Sequence, residues 1–142
     1  MIELSEVDLK VINGLLNAVE DRGTDWVYPM EWRDAGACVN LRPDGTAACI
    51  IGYIAVDQKL ETTTTNDAAQ DAARWGVSAA IENAMAKAQA IQDEDLPWGD
   101  AASRFFHRLF DLGITLEQLA TYGIDVSRLD KLNLKYHKNG WG

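Results

Sequence analysis

The segment from Ala37 to Gly52 constrains this chain most, because two short apolar runs flank Arg42-Pro43-Asp44-Gly45 and carry the only two cysteines, Cys38 and Cys49. β-formers on either side of a Pro-Asp-Gly turn read as a hairpin, with Pro43 presetting φ and Gly45 free to adopt the left-handed conformation. A loop over Pro43, Asp44 and Gly45 pairs Arg42 with Thr46, sets Cys49 opposite Val39 and turns Cys38 to the other face. A tighter loop at Pro43-Asp44 places Cys38 directly across from Cys49, the one register that permits a disulfide. The first register gathers Ala37, Val39, Leu41, Ala47, Cys49 and Ile51 on one side, and the better apolar face decides a one-residue slip. The expectation is a hairpin at about 37–51 with two separate thiols.

Helices account for most of the remainder. Ser5 with Asp8 caps a first helix whose Val11, Ile12, Leu15, Leu16 and Val19 recur at helical spacing, and Gly23 ends it. Residues 24–33 show no period and read as an ordered aromatic loop over one edge of the core. Past the hairpin, Ile50 to about Leu60 forms a short helix, with Gly52 allowing close backbone approach. Asp67 and Gln70 form a capping box for a helix that reaches Trp75. An alanine-rich helix follows from Ser78 to about Gln92, and Pro97 opens a helix whose broad apolar stripe marks it as central to the core. Thr115 and Gln118 form another capping box ahead of a short helix, and a last one spans Val126 to Lys138. The expected fold is helix-dominated α+β, a small hairpin packed among five or six helices.

At 142 residues, 47% of them apolar, the chain has the size of one domain, 1–142, that buries roughly two thirds of its unfolded surface. Acidic residues among the first ten argue against a signal peptide, and no apolar run approaches the ~18 residues of a membrane span, so a soluble cytoplasmic protein is expected. Charge is unevenly placed. Residues 1–127 hold 9 Lys or Arg against 21 Asp or Glu, whereas residues 128–142 hold 4 against 1, within a basic C-terminal segment, 126–142. An acidic body repels phosphate backbones and disfavours general nucleic-acid affinity.

Chemical motifs are sparse. Cys38, Cys49, His107 and His137 show none of the close spacings of a zinc site. Both cysteines sit in apolar surroundings that raise a thiol's pKa, and His107 reads as a surface or boundary residue. No nucleophile elbow, metalloprotease helix or phosphate-cradling loop is present. These absences lead to the expectation of a chain that is not an enzyme and needs no metal or cofactor. Two interaction readings remain. Trp26, Trp32 and Trp141 are candidate protein-binding residues, since aromatics dominate interface hot spots. Alternatively, a degenerate helix-turn-helix at 115–138 reads DNA, with Arg128, Lys131, Lys135 and Lys138 on one helical face. In that motif the glycine after Ala120 comes one position early, and docking of the basic helix on the acidic body explains the stripe equally well.

Two segments, Cys38 through Asp44-Gly45-x3-Cys49-Ile50-Ile51-Gly52 and Ala88-Gln89-x2-Gln92-Asp93-x4-Trp98-Gly99-x-Ala101, resemble small uncharacterised proteins of actinobacterial phages, mycobacteriophages in particular. In those proteins a histidine often follows the Ile-x-Gly. Tyr53 stands there in this chain, which removes the nearby ligand that would join the two cysteines at a metal. The resemblance carries no activity with it. It implies a small accessory protein in a bacterial cytoplasm that binds a protein of the host without catalysis.

Overall fold

The computed structural model describes residues 2–34, 38–65 and 67–131. Its helices are α1 (Glu6–Arg22), α2 (Ile50–Gln58), α3 (Ala68–Trp75), α4 (Ala79–Asp93), α5 (Trp98–Asp111), α6 (Leu116–Thr121) and α7 (Ser127–Lys131), with a 3-10 turn at Met30–Trp32. One apolar cluster draws residues from all seven α-helices. No described helix is long and apolar enough to cross a membrane.

Local sequence accounts for the helix ends. Ser5 Oγ accepts the Asp8 N–H (3.3 Å) while Asp8 Oδ2 accepts the Ser5 N–H (2.9 Å), closing the capping box of α1. The other oxygen of the buried Asp8 accepts the Ser78 N–H at 2.9 Å, which ties the start of α4 to the start of α1. Asp67 and Gln70 close a second box at α3, and Gly76 ends that helix in the left-handed conformation (φ 73°). Thr115 caps α6, but the Gln118 amide that would complete that box donates instead to the Ile2 carbonyl.

α4 and α5 share the most extensive helix interface, as the short connection between them favours. Alanines make it close: Ala80, Ala84 and Ala88 of α4 and Ala101 and Ala102 of α5 are all buried. α5 is the central helix. Its covering extends almost all round, so that His107, expected at the surface, is fully buried. Pro97 offers no side-chain cap, and the aromatic loop satisfies the open first turn of α5 from outside: Trp98 N–H donates to the Trp26 carbonyl (2.8 Å) and Gly99 N–H to the Thr24 carbonyl (2.9 Å).

The fold is all-α, and the expected α+β class with a hairpin at 37–51 is overturned: among the described residues there is no strand, and Leu41 and Ala47 form no more than an isolated antiparallel bridge. The three-residue loop itself forms, with Arg42 N–H on the Thr46 carbonyl and Gly45 N–H on the Arg42 carbonyl, both at 2.8 Å. What fails is extension of the ladder. Asn40 directs its N–H to the Thr64 carbonyl (2.8 Å), away from the opposing run, and from Ile50 the chain becomes α2. A two-stranded ribbon is marginal by itself, whereas the helix buries Ile50, Ile51, Ile54 and Ala55 in the common core.

Gly52 is what lets this link lie on α2. A Cβ there would stand 1.8 Å from the Asn40 carbonyl oxygen, a backbone atom with nowhere to go. Gly52→Ala should therefore cost roughly 3 kcal/mol or more, above the ordinary range for overpacking. Urea unfolding reads this as a clear fall in midpoint, and an unchanged midpoint would contradict the contact.

Candidate functional site

Two features meet around the 38–49 link, a buried thiol and amide cluster beneath it and an aromatic face beside it. The cluster is organised by Gln92 near the end of α4. Its Oε1 accepts the Ile50 N–H (2.7 Å) and the Trp98 indole N–H (3.2 Å), while its Nε2 donates to Cys38 Sγ (3.2 Å). Asn40 plays the matching part on the other side. Its amide donates to Asp71 Oδ2 (2.7 Å) and Thr62 Oγ1 (3.0 Å), and its Oδ1 accepts the Cys49 thiol at 3.0 Å. Cys49 is also the N-cap of α2, its sulfur accepting the Gly52 N–H at 3.4 Å.

The two thiols are free, as expected, but they are near enough to influence each other's ionisation, contrary to the expected placement on opposite faces. The register itself is as expected, with Cys49 N–H on the Val39 carbonyl at 3.0 Å. The inference from register to faces fails because side chains alternate only along a regular strand, and Cys49 already belongs to a helix terminus. The sulfurs consequently act on each other. The neighbouring Cys49 thiol holds Cys38 below the ordinary thiol value, helped by the Gln92 amide against the opposing effect of burial. Complete burial pushes Cys49 well up, and the neighbouring Cys38 adds to this. The pair is thus unequal, with Cys38 half-buried and readily ionised and Cys49 buried and protonated. No group of three or more His, Cys, Asp or Glu among the described residues is placed to hold a metal ion.

The aromatic face brings together two of the three expected tryptophans. Trp26 stands edge-on to Trp98 with ring centroids 4.5 Å apart, and Trp32 lies 5.8 Å from Trp26. Two cations lie over them, one from the last turn of α1 and one from the 42–46 turn. The Arg22 guanidinium sits 4.9 Å from the Trp26 ring and 5.6 Å from that of Trp32, and Arg42 from the turn lies 4.4 Å over Trp32. Acidic neighbours in sequence hide this environment. Tyr28 ties the face to the cluster, its hydroxyl donating to the Trp32 carbonyl (3.1 Å) and accepting the Val39 N–H (3.3 Å), and burial pushes its pKa up to about 12. Tyr53 donates its hydroxyl to Asp21 at 2.9 Å. A groove of about 500 Å³ opens between this face and the turn, lined by Trp32, Arg33, Val39, Leu41, Arg42 and Thr64 among others.

The remaining candidates lie elsewhere. Trp141, Lys135 and Lys138 fall outside the described residues, and Lys131 closes α7. Arg128 is engaged with the acidic body, its Nε 2.9 Å and one terminal nitrogen 2.5 Å from the Glu20 carboxylate, and that same nitrogen 2.7 Å from Asn17 Oδ1. That contact joins Arg128 to α1, and Lys135 and Lys138 of the expected basic stripe lie outside the described residues.

Comparison of the chain with protein-family models, with curated proteins and with solved structures finds no match. Within the chain, two segments distant in sequence meet here, since Gln92 and Trp98 come from one and Cys38, Cys49 and Ile50 from the other.

The inequality of the thiols sets a pH signature. The thiolate is the reacting species, so alkylation of Cys38 by iodoacetamide should reach half its limiting rate below the ~8.5 of a free thiol, while Cys49 stays slow well above that pH. Peptide mapping of the timed reaction distinguishes the two. Equal midpoints, or Cys49 reacting first, would contradict the arrangement.

Proposed function

We propose that the chain is a non-catalytic, phage-type accessory protein that binds another protein, a factor of the bacterial host, in the bacterial cytoplasm. The observation that carries this reading is the open groove beside the exposed Arg42 and the half-buried Trp32. Tryptophan and arginine are the residue types that dominate binding energy at protein interfaces, and a concave apolar floor gives a partner side chain somewhere to sit. Val39 and Leu41 supply that floor, and Arg42 adds a charge at its rim. The fitting partner is a protein segment that presents an apolar or aromatic side chain to Trp32 and a carboxylate to Arg42. Rigidity favours the same reading, because Tyr28 and the cation contacts hold Trp32 before any partner arrives and reduce the ordering cost of association. The acidic body supplies solubility and repels nucleic acid.

Capture from host lysate by the whole chain, run in parallel with the Arg42→Ala and Trp32→Ala variants, tests the reading. The wild type should retain a stoichiometric partner, and Arg42→Ala should lose it by at least about tenfold with its thermal transition unchanged. Retention by Arg42→Ala and by any folded Trp32→Ala protein at the wild-type level would contradict the assignment of this face.

A further inference from the structure

We propose that Cys38 and Cys49 form a dithiol site that takes a low-molecular-weight disulfide as its reaction partner and closes, by thiol–disulfide exchange, into an intramolecular disulfide. The site is independent of the groove and stands whether or not a partner binds there.

The geometry that points to it is the convergence of both sulfurs on one short piece of backbone. Cys49 N–H meets the carbonyl of Val39, the residue next to Cys38, at 3.0 Å. Cys38 Sγ is held by Gln92 Nε2 at 3.2 Å, and the oxygen of that same amide receives the N–H of Ile50, the residue next to Cys49, at 2.7 Å. One amide thus touches the Cys38 sulfur and the backbone next to Cys49, while the Cys49 backbone is bonded to the residue next to Cys38, which sets the two cysteines side by side as a disulfide requires. Their direct influence on each other's ionisation agrees with that placement. Access is asymmetric, since Cys38 is half-buried and Cys49 buried. An outer sulfur that ionises readily and an inner one that stays protonated divide naturally into an attacking thiol and a resolving thiol.

The steps balance. Cys38, having given its proton to solvent, bonds to one sulfur of the small disulfide as the S–S bond of that reagent breaks, and the departing thiolate takes up a proton. Cys49 then loses its proton to solvent, gives up its hydrogen bond to Asn40 Oδ1 and attacks the Cys38 sulfur. The bond between Cys38 and Cys49 forms, the mixed disulfide breaks, and the second small thiol leaves with a proton. The protein is oxidised by two electrons and the small disulfide is reduced to two thiols.

Glutathione is a suitable probe. The whole chain is equilibrated in buffers of graded oxidised to reduced glutathione ratio, quenched with acid, alkylated with N-ethylmaleimide and weighed, in native buffer and in concentrated urea. In native buffer the alkylatable thiols should fall from two to none, yielding a product lighter by two hydrogens. That transition should lie at a ratio at least about tenfold more reducing than in urea, because the fold raises the effective concentration of one thiol at the other. A native transition at the same or a more oxidising ratio than in urea would overturn the site, as would accumulation of glutathione adducts or linked dimers in its place. Cys49→Ser should stop with one glutathione on Cys38. Equally rapid modification of Cys49 in Cys38→Ser would overturn Cys38 as the attacking sulfur.

Discussion

The Asn40 carbonyl resting on the bare backbone of Gly52 is the contact from which the arrangement of this molecule follows. It brings the 38–49 link down onto the first turn of α2 at a distance no side chain would permit. With the backbone seated there, the Asn40 side chain reaches Asp71 on α3 and Cys49 at the start of α2, so one residue joins two helices and a loop. The buried Asp71 carboxylate is costly in the core without donors, and the Asn40 amide and the Thr62 hydroxyl supply them. A single close approach thus fixes a polar network, and the network holds the link in place without a sheet.

Gln92 completes the arrangement from the opposite side. A buried primary amide has two donors and a two-lone-pair acceptor, and the Gln92 side chain uses both ends: the oxygen for Ile50 and Trp98, the nitrogen for Cys38 and for Asp93 Oδ1 at 3.3 Å. Through Trp98 it connects the thiols to the aromatic face, since Trp98 packs on Trp26 and Trp26 on Trp32. The groove and the buried thiol cluster are therefore neighbouring parts of one packed unit. What the groove presents outward depends on amides and rings that are largely buried.

Much of this was legible in the chain because it is local. Ser5 with Asp8 and Asp67 with Gln70 are partners three residues apart, and both boxes form. Gly52 was readable as a position of close approach, and residues 24–33 as an aromatic loop over one edge of the core. The hairpin was misread because its evidence was also local: the turn is present, but whether apolar runs extend as strands depends on what else competes for them, and the core took Ile50 to Ala55 as a helix. The thiols are free as expected, but their placement on opposite faces fell with the hairpin, since alternation of faces has no meaning once a strand becomes a cap. Gln92 lies 54 residues from Cys38, and Arg42 comes to Trp32 from the start of the turn. Nothing in either neighbourhood marks these pairings, and the burial of His107 likewise follows from how completely α5 is enclosed.

The seating of the link on α2 is open to direct measurement by native-state amide exchange at Ala48, Cys49 and Ile50. These amides precede the hydrogen-bond ladder of α2 and donate to the Asn40 carbonyl, the Val39 carbonyl and the Gln92 side chain at 2.9, 3.0 and 2.7 Å. If those bonds hold the link as described, all three exchange as slowly as the buried amides of α4 and α5, through global unfolding. Exchange at the rate of an open loop, with α4 and α5 still protected, would contradict it.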